Sequence, residues 1–230
     1  MVQHIGIVAC SAEGASLCYR TICSEASTRM GPHDHPEISL HGWSLADYTA
    51  CLERGDLKGV ADLMLGSAEK LARSGADFLI CPDNTIHQAL HLVEPTSPLP
   101  WLHIAEVVAE AAVKRGLTRL GITGTAWLVD SPVYPQRLAE HGLTAVRPAQ
   151  TDRDLMQRII MEELVYGHFE PQSVAAFQGI VGRLKESGCE AVVLGCTEIP
   201  LILDDSNSTL PTFDSTRLLA RAAIERALLR

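Results

Sequence analysis

The sequence predicts an α/β protein of two pseudo-symmetric halves. Each is a three-layer α/β/α arrangement around a mostly parallel sheet, with a cleft between the halves. Two observations carry this. Short apolar runs recur, each closed by a turn and followed by a helix-like stretch, as buried parallel strands joined by crossover helices require. The chain also repeats itself. Leu71, Ser74, Gly75, the acid Asp77, an apolar strand and a turn at Asp83 recur 113 residues later as Leu184, Ser187, Gly188, Glu190, a strand and a turn at Cys196. His4-Ile5-Gly6-Ile7 recurs 115 residues later as Arg119-Leu120-Gly121-Ile122, and that spacing carries Tyr19 onto Tyr134. The hinge between the expected halves falls near residue 100.

The elements follow in order. His4 to Ala9 reads as the first strand. Cys10 to Gly14 reads as a turn whose backbone N–H groups suit a phosphate or carboxylate. It lacks the Gly-x-Gly-x-x-Gly pattern of a dinucleotide site. A helix is expected from Ala15 to Met30, with Leu17, Cys18, Thr21 and Ile22 on one face. Gly31 to Pro36 is a loop by composition. Its His33 and His35 lack partner ligands at metal-site spacing, so no metal is expected. Glu37 to His41 is a strand, and Leu45 to Arg54 a short helix. Val60 to Arg73 is a helix stopped by Ser74-Gly75. Phe78 to Cys81 is a strand ended by Pro82, which has no N–H for a central ladder. Asp83-Asn84-Thr85 form a loop. Leu99 to Ile104 returns the chain to the sheet region, near the hinge between halves.

The second half then runs as helix Ala105 to Arg115, strand Arg119 to Thr123 and strand Leu143 to Val146. Helices Asp152 to Tyr166 and Pro171 to Ser187 follow, the proline suiting a first helical turn. Ala191 to Leu194 and Thr209 to Phe213 are strands. A last helix spans Asp214 to Leu229, with Asp214 or Ser215 as its cap.

Composition excludes several classes. The chain has 230 residues, 47% hydrophobic and 20% charged, as an ordinary globular protein with a sizeable core does. The formal charge is −9 without a basic cluster, so nucleic acid is not an expected partner. No apolar run approaches the roughly 20 residues that span a bilayer, so no membrane is expected either. Met1 to His4 lead directly into a strand, so no signal peptide is expected. Seven cysteines at irregular spacing, with no Cys-x-x-Cys pair, fit free thiols in a reducing cytoplasm.

The chemistry concentrates at Leu194-Gly195-Cys196-Thr197-Glu198-Ile199-Pro200. Gly195 lets the chain turn at the strand's carboxyl end, where open α/β sheets hold their ligands. A thiol there can be activated by backbone N–H groups of a following helix. A small buried core residue is the plain alternative. The repeat places Asp83 at the equivalent tip of the other half. Two reactive groups facing each other across a pseudo-twofold cleft suit chemistry on both faces of one carbon.

Further motifs stand in order: Ile5-Gly6-Ile7 with Ser11-Ala12-Glu13, Asn84-Thr85-Ile86-His87, Leu102-His103-Ile104, Gly121-Ile122-Thr123-Gly124-Thr125, Glu162-Glu163-Leu164, and Phe213-Asp214. With Gly195 to Leu201, the most specific string, the chain resembles the aspartate/glutamate racemase superfamily, and within it the aspartate racemase branch. These enzymes need no pyridoxal phosphate. The resemblance implies a racemase-like fold whose last helix packs back on the first half, so that the halves are residues 1–100 with 209–230 and residues 101–208. It also implies no cofactor, a small amino-acid or dicarboxylate substrate as partner, and a homodimer by analogy. It implies that Cys196 is an acid/base, because a thiol is a competent base as thiolate and a competent acid when protonated. It implies that Ser11, Asn84, Thr85, Thr125 and Thr197 bind substrate carboxylates. Glu198 reads either as a contact to the substrate ammonium or a neighbouring histidine, or as a first-turn capping carboxylate. His87 and His103 read as structural histidines beside the cleft or as catalytic groups. Tyr134, like Tyr19, reads as a core residue hydrogen-bonded near the cleft.

Two departures from the family matter. Asp83 stands where the family usually has cysteine. Cys81, two residues earlier, lies about 7 Å away along a strand and does not replace it. Three roles are open for Asp83. It is the second acid/base, its pKa raised by burial or neighbours. It selects substrate by binding an ammonium or blocking a carboxylate. Or the first-half base is lost and Cys196 performs one-sided proton transfer. Leu155 stands where related aspartate racemases often carry a substrate-binding lysine. The expected function is cofactor-independent racemisation or epimerisation of a small, aspartate- or glutamate-like amino acid, with Cys196 on one face and Asp83 on the other. The alternatives are a one-sided relative (a decarboxylase or a cis–trans isomerase of a small dicarboxylic acid) and a ligand-binding pseudoenzyme.

Overall fold

The computed structural model describes residues 1–229. Eight strands form two four-stranded sheets of identical order. In the first, β1 (Ile5–Ala9), β2 (Ile38–Gly42), β3 (Phe78–Ile80) and β4 (Trp101–Leu102) lie as β2-β1-β3-β4. In the second, β5 (Arg119–Thr123), β6 (Thr144–Val146), β7 (Ala191–Leu194) and β8 (Thr212–Asp214) lie as β6-β5-β7-β8. Every pairing is parallel. β1, β3 and β7 are buried along their whole length, which is why they read as unbroken apolar runs.

The helices are α1 (Ala12–Met30), α2 (Leu45–Glu53), α3 (Leu57–Arg73), a 3-10 helix Asn84–Ala89 running into α4 (Leu90–Val93), α5 (Ile104–Lys114), α6 (Ala126–Val129), α7 (Val133–Glu140), α8 (Gln150–Glu162), α9 (Pro171–Glu186) and α10 (Ser215–Leu228). The chain divides into two compact units, Met1–Val107 with Thr216–Arg230, and Val108–Ser215.

The first unit shows how alternation along a strand makes three layers. Ile5, Ile7, Phe78 and Ile80 pack with Cys18 and Ile22 of α1 and Leu219 and Ala223 of α10. Val8, Leu79 and Cys81 point the other way, onto Val60, Met64 and Leu71 of α3.

The sequence repeat has a structural meaning. α3 and α9 each end in a glycine with positive φ, Gly75 at +91° and Gly188 at +82°, a left-handed stop that side-chain-bearing residues rarely adopt. The acid two residues on then ties the entry of the first strand of its unit. Asp77 Oδ2 accepts from His4 N at 2.7 Å, and Asp77 N donates to His4 O at 2.8 Å. Glu190 Oε2 accepts from Thr118 N and Arg119 N at 2.6 and 3.0 Å, and Glu190 N donates to Arg119 O at 2.9 Å. These N–H donors hold the Glu190 carboxyl below the usual carboxylate range.

The structure corrects several boundaries. α1 begins at Ala12, because Ser11 caps it with its hydroxyl accepting from Gly14 N, so the segment read as an open turn is largely helix. Asn84 and Thr85 open a 3-10 helix where a loop was expected. Residues 126–140, given no helix from sequence, hold α6 and α7 on either side of Asp130-Ser131-Pro132. Tyr19 is 43% exposed, so the Tyr19–Tyr134 match does not reflect equivalent core positions.

Candidate active site

In each sheet the chain leaves two adjacent strands toward opposite edges: β1 leads to β2 and β3 to β4, β5 leads to β6 and β7 to β8. The carboxyl ends of β1/β3 and of β5/β7 are therefore topological switch points, where such sheets bind ligands. Asp83 follows β3 and Cys196 follows β7.

At the first tip Asp83 is buried, and its carboxylate bridges two backbone donors. Oδ2 accepts from Cys10 N at 3.2 Å and Oδ1 from Ser11 N at 3.1 Å. The N–H groups read from sequence as a place for an incoming anion thus hold a carboxylate of the chain itself. Burial and these donors act in opposite senses on a carboxyl's affinity for a proton. Cys81 is fully buried and its thiol donates to Asp83 O at 3.8 Å. Burial, then the charge of Asp83, pushes its pKa well up, so Cys81 stays a thiol. Tyr48, also buried here, is held as a phenol chiefly by burial and then by Cys81 and Cys10.

Asn84 is buried and Thr85 half-buried at the start of the 3-10 helix. Thr216 Oγ1, in the first turn of α10, lies 3.5 Å from Pro82 O. His87 Nε2 lies 3.0 Å from Cys81 O, which makes it an N–H donor that ties the 3-10 helix to the end of β3. His103 Nδ1 accepts from Ala105 N at 3.1 Å, at the start of α5. The two imidazoles meet edge to face, with centroids 4.7 Å apart.

At the second tip Gly195 is required by close approach. A Cβ there would lie 2.6 Å from Thr123 O and 2.5 Å from Leu128 Cδ2. Cys196 is half-buried, and its Sγ lies 2.9 Å from Glu198 Oε2. Thr197 Oγ1 donates to the same oxygen at 2.7 Å. Glu198 is 7% exposed. It makes no side-chain cap to the 3-10 helix Ile199–Leu201, so the capping reading is set aside for a bond to the thiol. Thr125 caps α6, its hydroxyl accepting from Leu128 N at 3.4 Å, as Ser11 caps α1. Tyr134 is buried and hydrogen-bonded to Ser215, burial pushing its pKa up. Ser215 Oγ in turn donates to Leu194 O at 2.9 Å, at the end of β7.

The structure thus gathers Ser11, Asp83, Asn84, Thr85, His87 and His103 at the strand ends of the first unit. It gathers Thr125, Tyr134, Cys196, Thr197 and Glu198 at those of the second. Sequence reasoning took Ser215 only as a candidate helix cap and missed its bonds to Leu194 O and Tyr134. It also did not foresee that the backbone N–H of Cys10 would hold Asp83. Among the described residues no three His, Cys, Asp or Glu side chains group as ligands for a metal ion.

Comparison with known proteins agrees with this architecture. The family model described as Asp/Glu/Hydantoin racemase matches residues 7–223, so the chain belongs to that family. A candidate Asp/Glu racemase of Yersinia pestis superposes with a TM-score of 0.91 at 29% identity, over 99% of this chain and 100% of that one. An aspartate racemase homologue from Pyrococcus horikoshii superposes with a TM-score of 0.84 at 26% identity, over 99% of each chain. RacX of Bacillus subtilis, described as a broad specificity amino-acid racemase, is 23% identical over 72% of this chain and 71% of its own. No helix among the described residues is long and apolar enough to cross a membrane.

Proposed function

We propose that this protein is a cofactor-independent amino-acid racemase that moves a proton at the α-carbon, with Cys196 serving one face and Asp83 the other. Family membership along nearly the whole chain supports the reaction class. The observation that carries the assignment of Cys196 is its thiol, half-exposed at the β7 switch point and bonded to a buried carboxylate. In this reading Asp83, which accepts two backbone N–H bonds, starts as the base, and Cys196, bonded to Glu198, starts as the acid.

In this reading Asp83 removes the α-proton from one enantiomer. The electron pair left on carbon delocalises into the α-carboxylate as an enolate. The thiol of Cys196 returns a proton on the opposite face, and the reverse reaction starts from the swapped pair. In this reading the Thr125 hydroxyl stabilises the enolate-like charge, which works best where the donor is already oriented.

The test is proton NMR of L- and D-amino acids in deuterated buffer without added cofactor. Loss of the α-proton signal with appearance of the opposite enantiomer is expected. Cys196→Ala is expected to lose turnover by more than about 10²-fold, with an unchanged melting temperature. Exchange with full retention of configuration would mean one-sided chemistry and no role for Asp83 as a base. Exchange by Cys196→Ala at the wild-type rate would remove the thiol from the mechanism.

A further inference from the structure

Between α2 and α3 lies a cavity of about 520 Å³, within the size range of small-molecule sites. None of the candidate site residues described above lines it. On α2 its wall is Asp47, Ala50, Cys51 and Arg54, at the i, i+3, i+4, i+7 spacing of one helix face. Gly59, Asp62 and Leu63 face them from α3. Gly59 keeps the floor open, because a Cβ there would lie 2.8 Å from the Sγ of the buried Cys51.

The two ends of the cavity differ in charge. Trp43 closes one end and is held there. Its Nε1 donates to Leu63 O at 2.9 Å, and Lys70 Nζ lies 3.7 Å from the centre of its ring. Asp47, in the first turn of α2, and Asp62, next to Leu63, bring two carboxylates to this end. Arg54, the C-cap of α2, stands at the other end, its Nη2 3.7 Å from Cys51 Sγ. Asp47 and Arg54 are seven residues apart, which along a helix is about 10 Å. Asp62 also pairs with Lys58 at 2.7 Å, and Arg54 with Asp56 at 3.9 Å. Both pairs are exposed, so exchanging a partner for a ligand costs little.

We infer that this cavity is a second small-molecule site, one that takes a linear ω-amino carboxylate. The carboxylate meets Arg54, the ammonium meets Asp47 and Asp62, and the aliphatic chain lies over Trp43, Ala50 and Leu63. An α-amino acid with an uncharged side chain is too short for this. Its two charges sit on one carbon, while those of the cavity stand about 10 Å apart along α2. Binding here is independent of the reaction proposed above, since an ω-amino carboxylate carries no α-ammonium.

The test is an NMR titration of the full-length, isotope-labelled protein with 6-aminohexanoate, read at the indole N–H peaks. The chain has three tryptophans, and Trp43→Phe assigns the peak of Trp43. That peak is expected to move and saturate with a Kd of about 1 mM, while those of Trp101 and Trp127 stay in place. Hexanoate and hexylamine carry one charge each, and 3-aminopropanoate is too short. All three are expected to bind at least about threefold more weakly. Arg54→Gln and Asp47→Asn are each expected to weaken 6-aminohexanoate by about threefold, and either variant serves should the other misfold. Ala50→Leu, which fills the cavity without altering a charge, is expected to abolish the movement. A Trp43 peak that stays in place up to about fiftyfold above that Kd overturns the inference. So do equal movement with hexanoate or hexylamine, equal movement of all three indole peaks, and an unchanged affinity in both charge variants.

Discussion

Asp83 and Cys196 are the tips of one repeated unit, yet they sit in opposite hydrogen-bonding roles. Asp83 accepts from two backbone N–H groups, while Cys196 donates to a carboxylate two residues away. Pseudo-symmetry of the backbone is thus broken at these two side chains. Glu198→Gln tests what its carboxylate does. Removing a negative charge at hydrogen-bond distance makes the thiolate easier to form. Alkylation of Cys196 near pH 7 is therefore expected to quicken while kcat falls at least about tenfold. A residue that only held the turn would lower kcat without quickening alkylation, and that pattern would remove Glu198 from the proton transfer. Cys196 and Asp83 were legible as tip residues because Gly195 and Pro82 mark where their strands stop. The bond between Cys196 and Glu198 was not legible. Residues 196–198 form an irregular turn, and no period tells which side chains converge there.

Elements with strong periodic or apolar signals were read close to their observed bounds, β1, β7, α3 and α9 among them. Misreadings fell where local chemistry outweighs periodicity. The 3-10 helix and α4 follow Pro82 with too few residues to show a helical repeat, and α6 and α7 are parted by Asp130-Ser131-Pro132. Edge strand β2 carries a local cluster that also escaped notice. His41 Nδ1 lies 2.9 Å from Ser67 Oγ, and Lys70 Nζ lies 2.9 Å from His41 Nε2 and 3.7 Å from the centre of the Trp43 ring. Burial, then the ammonium of Lys70, lowers the His41 pKa. The unfolded chain protonates this histidine near pH 6.5, whereas the folded chain keeps it neutral to lower pH. Below about pH 6.5 the unfolded state therefore binds more protons, and stability falls as pH falls; above it the contribution is fully present. Thermal melts between pH 7.5 and 5.5 are expected to show a smaller drop in His41→Gln than in the wild type. Equal drops would mean that the Lys70 contact does not discriminate between the two charge states.

On the scale of the whole chain, the repeat in sequence corresponds to two parallel sheets of the same strand order, each closed by the same glycine stop and acidic tie. That much was legible because Gly75/Gly188 and Asp77/Glu190 are set by backbone conformation and unpaired N–H groups, which leave a residue signature. Packing of the last helix leaves none, since its apolar face fits any sheet, and its assignment to the first half rested on the family resemblance alone. α10 follows β8, a strand of the second sheet, yet its Leu219, Ala220, Ala223, Ile224 and Ala227 are buried with Ile5, Ile7, Phe78 and Ile80 of the first. The first unit is thus assembled from both ends of the chain, and its sheet loses one cover if the last helix is weakened. Leu219 is fully buried, so Leu219→Ala is expected to cost about 2–5 kcal/mol by lost burial and the cavity left behind. Amide hydrogen exchange gives the sharper readout, because opening reports on whichever unit loses its packing. Exchange is expected to rise in β1 and β3 and to stay slow in β5 and β7. A uniform rise across all four strands would show that the two units unfold as one cooperative body, and that the helix stabilises the whole chain to the same extent as the sheet it covers.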